Sequence, residues 1–355
     1  MKSKLINDYL SKIPDIYKSD KEEERERFNM FYNLPFYSND SIVQSKLKIN
    51  FLKKISMLKN KNITHLETFY LSHNSNFGNG LIVLNNVIFY CEVVGCQKII
   101  LYKNQTNRKW LIKNPIYVEK SNLTIMQGSN VDCNRENILC IYETGMLIYF
   151  PYFPAVIIPQ VRTNIIKKEI LNNLPNVNVN PNDLYIHIRG GDIFTTLIHN
   201  MYAQPPLCFY KKIIDNWAFN NIYIISMDRS NIIVNTLISN YKNIIHNTNN
   251  IEYDISILCH AYNIVASVSS FVFSSIKLND NLKELWEYDM MRLSEKFLFL
   301  HHHISKFNIR YKIHTMQPSD IYLSKMFSWN SSPEQLKLML EVNCTYDFIL
   351  TKPNL

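Results

Sequence analysis

The sequence predicts an α/β protein of two lobes, each built on a parallel sheet, and three observations predict it. Short apolar strands alternate with helical stretches from Leu184 to Lys277, the pattern of a parallel sheet with crossover helices. A glycine-bearing loop, an apolar helical stretch and a strand follow one another between Asn76 and Tyr102, which is one turn of an α/β wind. A chain of 355 residues with 46% hydrophobic content is long enough for two cores.

Each element has its own local reason. Residues 1–60 are charged and irregular around Lys18–Arg27 and are expected as a solvated helical extension. The first lobe covers 61–171. Within it, Leu81 to Val94 is apolar at nearly every helical position, as a buried helix is; Gly95 ends it, and Lys98–Tyr102 reads as a strand. Asn172 to Asp183, with Pro175, Pro181 and many Asn, is the expected linker (172–183).

The second lobe covers 184–300. Its strands are Leu184–Ile188, Asn221–Ser226 and Asn263–Ser267; its helices are Phe209–Trp217, Ile232–Ile238, Ile255–Tyr262 and one starting at Phe271. Residues 301–355 are expected as a C-terminal extension. In it Ser332-Pro333-Glu334-Gln335 combines an N-cap serine, a proline at the first helical position and Gln at the third, so a helix runs on toward Val342.

Lys+Arg number 38 against 30 Asp+Glu, a formal charge of +8 with a pI near 8.9. The balance favours an anionic partner, but the charge is spread along the chain and forms no basic stripe, so no nucleic acid is expected. The seven cysteines are odd in number and contain no Cys-x-x-Cys pair, which implies no zinc framework, and a chain of this length does not require a disulfide scaffold. Sequons at Asn39, Asn62, Asn104, Asn122, Asn330 and Asn343 arise easily in so Asn-rich a chain. Neither a signal-peptide run nor a stretch of about 20 apolar residues occurs. The expectation is a cytoplasmic chain without a membrane span, or one in the secretory pathway if an anchor lies outside it; the oligomeric state is open.

Glycine is scarce, with 7 where average usage would give roughly 25. Two pairs stand close together, Gly78/Gly80 and Gly190/Gly191, as expected where a backbone angle or a close approach demands glycine. In Tyr185-Ile186-His187-Ile188-Arg189-Gly190-Gly191-Asp192 an apolar strand runs into the second pair. Ligands of parallel sheets bind beyond the carboxyl ends of the strands. Arg189 there can grip a phosphate through two hydrogen bonds, with the Gly190 and Gly191 N–H groups close by. The alternative is an Arg189–Asp192 ion pair that closes a turn. Downstream, Ser269 and Ser270 precede an apolar helix, where they either cap it or help it bind phosphate. Asp228 follows another strand, as a site carboxylate or a turn carboxylate.

These residues resemble a family. His-x-Arg with a glycine or Asp turn, then Asp254-Ile255, then Ser267-Val268-Ser269-Ser270, is similar to the donor-binding half of the GDP-fucose fucosyltransferases, the α1,2/α1,6/protein O-fucosyltransferase superfamily. Asn76-Phe77-Gly78-Asn79-Gly80-Leu81 and the helix and strand after it resemble that family's first-lobe loop, so the likeness covers roughly residues 72–290. It implies two facing Rossmann-like lobes of the GT-B type and an inverting, metal-independent transfer of fucose from GDP-fucose to a glycan or glycoprotein hydroxyl. A nucleotide-sugar donor is then the ligand, with no resident cofactor and no metal.

By that resemblance Arg189 takes the donor β-phosphate, His187 and Asp254 the guanine or its ribose neighbourhood, and Ser269 or Ser270 the phosphate. Gly78, Asn79, Gly190, Gly191, Asp192 and Asp228 complete the expected donor site. A carboxylate can accept from both N1–H and the amino group of guanine, so Asp254 favours GDP over UDP. Two positions depart from the family: Gly190 stands where the α1,2 and α1,6 branches usually carry a second Arg, and Gly80 where their loop has Gln. The chain has no Asp-x-Asp, the carboxylate pair of metal-dependent transferases. Glu143, in Tyr142-Glu143-Thr144-Gly145, is the candidate general base, and His301-His302-His303 is read as a solvated patch rather than a metal site. A transferase with another nucleotide sugar and a nucleotide-binding pseudoenzyme are the rival readings.

Overall fold

The computed structural model describes residues 67–71, 96–102, 111–118, 122–128, 131–132, 135, 138–141, 160–194, 199–200, 202–246, 250–289, 310–326 and 328–352, with positions 77, 78, 80, 81, 84, 87, 88 and 91 of a helical stretch. Residues 1–60, Asn79, Gly95, Glu143 and His301–His303 lie outside the described residues. The chain divides into two compact units: 1–73, 83–103 and 117–159 in one, and 74–82, 104–116 and 160–355 in the other.

The first unit carries a five-stranded sheet. Its strands are β1 (Thr68–Leu71), β2 (Lys98–Tyr102), β3 (Ile116–Val118), β4 (Leu123–Gly128) and β5 (Ile138–Ile141), in the order β3-β4-β2-β1-β5. The pairs β4–β2, β2–β1 and β1–β5 are parallel. Phe69, Leu71, Ile99, Leu101, Leu123 and Ile125 are buried at alternate positions, which is the period of a strand. The expected strand Lys98–Tyr102 is β2, and Leu81, Leu84, Val87, Ile88 and Cys91 are helical and buried.

The second unit opens with α1 (Gln160–Asn173), then β6 (Leu184–His187), a 3-10 turn (Gly191–Phe194), β7 (His199–Asn200), α2 (Leu207–Asn216), β8 (Ile222–Ile225), α3 (Ile232–Asn240), β9 (Ile244–His246), α4 (Ile251–His260), β10 (Asn263–Ala266) and α5 (Ser270–Lys277). It ends with β11 (Glu284–Tyr288), β12 (Lys312–Met316), α6 (Asp320–Met326), β13 (Ser328–Trp329), α7 (Pro333–Glu341) and β14 (Phe348–Thr351). The large sheet has the order β14-β12-β11-β10-β6-β8-β9. All its neighbours are parallel except the edge pair β12–β14. Numbered 1 to 6 along the chain, the parallel strands β6, β8, β9, β10, β11 and β12 lie in the order 3-2-1-4-5-6 of a dinucleotide-binding doubly wound sheet.

Side-chain alternation explains the two helical layers. Leu184, Ile186 and Ile188 pack with Phe209, Tyr210, Val234 and Leu237 of α2 and α3, whereas Tyr185 packs on the other face with Leu258 of α4 and Val272 and Ile276 of α5. Burying one such aliphatic side chain contributes about 1.5–3 kcal/mol. Helix starts follow their caps: Asn231 accepts from Ile233 N, Asn250 from Tyr253 N, Ser269 from Phe271 N, and Ser332 and Gln335 form the expected capping box of α7.

Three features differ from the sequence reading. Helix α1 and the irregular stretch after it, read as first lobe and linker, belong to the second unit, where Lys167 pairs with Asp280 and Asn173 bonds Leu111 O at 3.1 Å. The stretch taken for an extension supplies β12 and β14 to the large sheet. Its strand was hidden because Lys312, His314 and Thr315 are polar; cross-strand partners satisfy them, with Lys312 and His314 on Glu284 at 3.0 and 2.9 Å and Thr315 on Glu287 at 2.9 Å. Finally, Cys208 of α2 is disulfide-bonded to Cys344, with Cα atoms 5.6 Å apart and 136 residues of separation. Spacing alone cannot reveal such a pair. Among the described residues no helix is long and apolar enough to cross a membrane.

Candidate functional site

In a doubly wound sheet the crevice opens where the chain winds outward in both directions, here between strands β6 and β10. These two strands are paired in parallel register, Tyr185 with Ile264 and Ile186 with Val265. Their carboxyl ends therefore project side by side into the segments Ile188–Asp192 and Ser267–Ser270.

Arg189 is the charged centre of this crevice. Its Nη1 donates to Ser269 Oγ at 3.4 Å and its Nη2 to Asp192 Oδ1 at 2.9 Å, while the guanidinium carbon lies 5.6 Å from the centre of the Tyr202 ring. The ion pair with Asp192 that closes the turn is present, and the guanidinium also reaches the helix cap. The Arg189 side chain is 18% exposed and that of Asp192 66% exposed. With its Asp192 end in solvent the ion pair is worth about 0–1 kcal/mol, and a polyanion that binds several donors can displace it.

Ser269 is the N-cap of α5: its Oγ accepts from Phe271 N at 3.2 Å as well as from Arg189. The cap serine is therefore also the partner of the arginine, with Ser270 as the first residue of the helix. The free N–H groups of such a helix end favour negative charge. Gly78 packs onto the same end. A Cβ built on it would meet Ser270 C at 2.5 Å and Phe271 N at 2.6 Å, and Ser274 Oγ donates to Gly78 O at 3.0 Å. Only glycine tolerates this contact.

The two glycines after Arg189 have different reasons. Gly191 has φ +71°, the left-handed region that favours glycine. Gly190 is a matter of space: a Cβ there would come 2.5 Å from Asp228 Oδ1 and 3.1 Å from Ser230 Oγ. The Asp228 carboxylate accepts from Ser230 N at 2.9 Å, Ser230 Oγ at 2.5 Å and Gly191 N at 3.3 Å. Burial alone would raise the Asp228 pKa, but these bonds outweigh it and hold the pKa below the usual carboxylate value. Asp228 is therefore the carboxylate that fixes the glycine turn. Gly191 N also donates to Ser230 Oγ at 2.7 Å, so its donor serves the turn rather than a ligand. A side chain at position 190 would have to displace the Asp228 carboxylate.

His187 is buried, and its Nδ1 lies 2.8 Å from Ser267 Oγ, with the ring 5.4 Å from that of Phe271. Burial, and next the Arg189 charge, push its pKa down to about 3, so the ring is neutral at physiological pH. Its alternation places it on the α4/α5 face, where it ties the end of β6 to the end of β10. Asp254 is also buried and lies in the first turn of α4. Helices that follow parallel strands begin at the carboxyl edge of the sheet, so Asp254 lies at the edge that carries Arg189 and Ser269.

Four site residues were not singled out from sequence. Ser267 and Ser230 are the partners of His187 and Gly191. Asn231, fully buried, caps α3 and donates from Nδ2 to Arg189 O at 3.0 Å. Gln204, also fully buried, spans from Tyr202 O to Val268 O. Asn231 before the apolar run Ile232–Leu237 carries a cap signal; the others carry none, because the bonds that tie them to Gly191, Val268 and His187 span 39 to 80 residues. Among the described residues no group of three or more His, Cys, Asp or Glu is arranged to hold a metal ion.

The arrangement combines one permanent cation, a helix N-terminus and a capped hydroxyl at the switch point of a doubly wound sheet. It can neutralise an anion of the size of a diphosphate. Neither a family model nor a curated protein matches the chain.

Proposed function

We propose that the chain is a glycosyltransferase that takes fucose from GDP-fucose and passes it, with inversion and without a metal, to a glycan or glycoprotein hydroxyl. The reading is carried by one observation: Arg189 and the α5 cap Ser269 meet at the switch point of a 3-2-1-4-5-6 sheet. Two units with mainly parallel sheets are compatible with the GT-B arrangement that the motifs imply. As the bond between the anomeric carbon and the β-phosphate oxygen breaks, negative charge grows on GDP. Arg189 and the N-terminus of α5 stabilise that charge, where a preorganised electrostatic site gains most. Asp254 selects guanine through its two edge donors, and Glu143, outside the described residues, is the proposed base.

Arg189→Ala is the test. Turnover of GDP-fucose is expected to fall on the order of a hundredfold or more while the variant melts like the parent. A thermal-shift comparison of GDP, UDP and ADP should single out GDP. Undiminished turnover in the variant, or equal response to the three nucleotides, overturns the reading.

One observation favours a second reading, a protein that binds the nucleotide without transfer: Asp228 occupies the space a second arginine would need at position 190. Hydrolysis of GDP-fucose in the absence of acceptor excludes it. GDP binding with neither hydrolysis nor transfer to any acceptor supports it.

A further inference from the structure

Gln204 is fully buried in the extended stretch 202–206 that leads into α2. Its Nε2 donates to Tyr202 O at 2.8 Å and, more distantly, to Val268 O at 3.5 Å. Both partners are carbonyls, so the orientation of the amide is not interchangeable: the nitrogen must face them. The consequence is that Oε1 is buried with no hydrogen-bond partner among the described residues. A buried acceptor in that state costs stability that an apolar side chain of similar length would not.

The two carbonyls belong to the two segments that flank Arg189. The Tyr202 ring lies against the guanidinium at 5.6 Å. Val268 stands between Ser267, which bonds His187, and Ser269, which bonds Arg189. A third bond steadies the bridge from behind: Tyr322 Oη donates to Gln204 O at 2.7 Å, in the interior.

We propose that Gln204 is a positioning residue of the donor site. It clamps the 202–206 stretch to the 267–269 turn, and so sets Tyr202 and Ser269 at the separation that holds the Arg189 guanidinium ready for a diphosphate. The diphosphate clause rests on the function proposed above; the clamp itself does not.

The test uses Gln204→Met, which keeps length and volume and removes the donor and the orphan acceptor together, and Gln204→Leu, which also removes both and is shorter. Three quantities are read on the full chain: the rate at which phenylglyoxal modifies Arg189, followed by peptide mass spectrometry; the melting temperature; and the Kd for GDP. In Gln204→Met the melting temperature stays close to that of the parent, Arg189 is modified about threefold faster or more, and GDP affinity falls about tenfold or more. Gln204→Leu should change the labelling in the same direction. An Arg189 labelling rate equal to the parent's in a folded variant overturns the clamp, whatever happens to GDP. Faster labelling in a protein whose parent form does not bind GDP upholds the clamp and removes the donor assignment instead. Weaker melting with unchanged labelling and unchanged GDP affinity makes Gln204 a purely structural residue and also overturns the proposal.

Discussion

Gly190→Ala is the most informative single change, because it separates space from backbone conformation. Among the described glycines only Gly191 has a positive φ, so position 190 accepts an L residue as far as its backbone is concerned. The added methyl would stand 2.5 Å from Asp228 Oδ1 and must displace that carboxylate. The carboxylate then loses some of the bonds it accepts from Ser230 N, Ser230 Oγ and Gly191 N. Hydrogen bonds to a charged group contribute about 1.5–3 kcal/mol each, less where water reaches them as it does here, and overpacking adds about 1–3 kcal/mol. A net cost of about 2–3 kcal/mol follows, or a melting temperature lower by roughly 5–10 °C. Asp228→Ala alone should cost about 1–2 kcal/mol. In that background the methyl has room, so Gly190→Ala should add less than about 1 kcal/mol, and the cycle should show a coupling of about 1.5 kcal/mol or more. The assay is chemical denaturation of the four proteins. Additive costs would refute the steric account of this glycine.

Three further outcomes are expected. Arg189→Ala leaves the melting temperature nearly unchanged, since the Asp192 end of its ion pair is exposed to solvent, yet removes most GDP-fucose turnover; a large loss of stability instead would assign Arg189 a structural role. Reduction of Cys208–Cys344, or Cys208→Ser, destabilises the second unit, by up to about 5 kcal/mol in the chain-entropy treatment of a 136-residue loop; melting scans with and without reductant read this, and identical curves would deny the bond a role. Acid pH should destabilise the fold in two windows. His187 stays neutral in the fold down to a pKa of about 3, whereas in the unfolded chain it takes a proton near 6.5, so stability falls as pH drops from 6.5 toward 3. Asp228, whose pKa is depressed, contributes stability that disappears only below the ordinary carboxylate range. Denaturation midpoints of His187→Gln should be flatter than the parent's between pH 6.5 and 4, and parallel profiles would contradict the burial of a neutral ring.

Several parts of this protein could be read along the chain. The strand-helix alternation of 184–277 carried β6, β8, β10 and their helices, because apolar periodicity is a local property. The capping box at Ser332 and the cap at Ser269 were likewise readable, since a cap bonds within three residues of itself. The place of Arg189 just past a strand end was readable for the same local reason. Other parts could not be read so. Strand β12 looks polar until Glu284 and Trp286 on the neighbouring strand are known, for His314 stacks on that tryptophan at 4.9 Å and is covered by the Trp217 and Phe348 rings. Gly190 looked like a ligand-approach glycine, and its reason is a carboxylate 38 positions downstream.

Sequence by itself determined the α/β class, the periodic strands and helices, and the presence of one arginine and one capped serine at two strand ends. Tertiary structure alone decided that β6 and β10 are neighbours, and hence that Arg189 and Ser269, 80 residues apart, share one crevice. It also decided that Asp228 fills the space beside Gly190, that Cys208 meets Cys344, and that Gln204 bridges the two site segments. The physical reason is the range of the interactions. Propensity, capping and periodicity act over a few residues, whereas strand order is set by which apolar faces bury one another across the whole unit, and the chemistry of the crevice depends on that order.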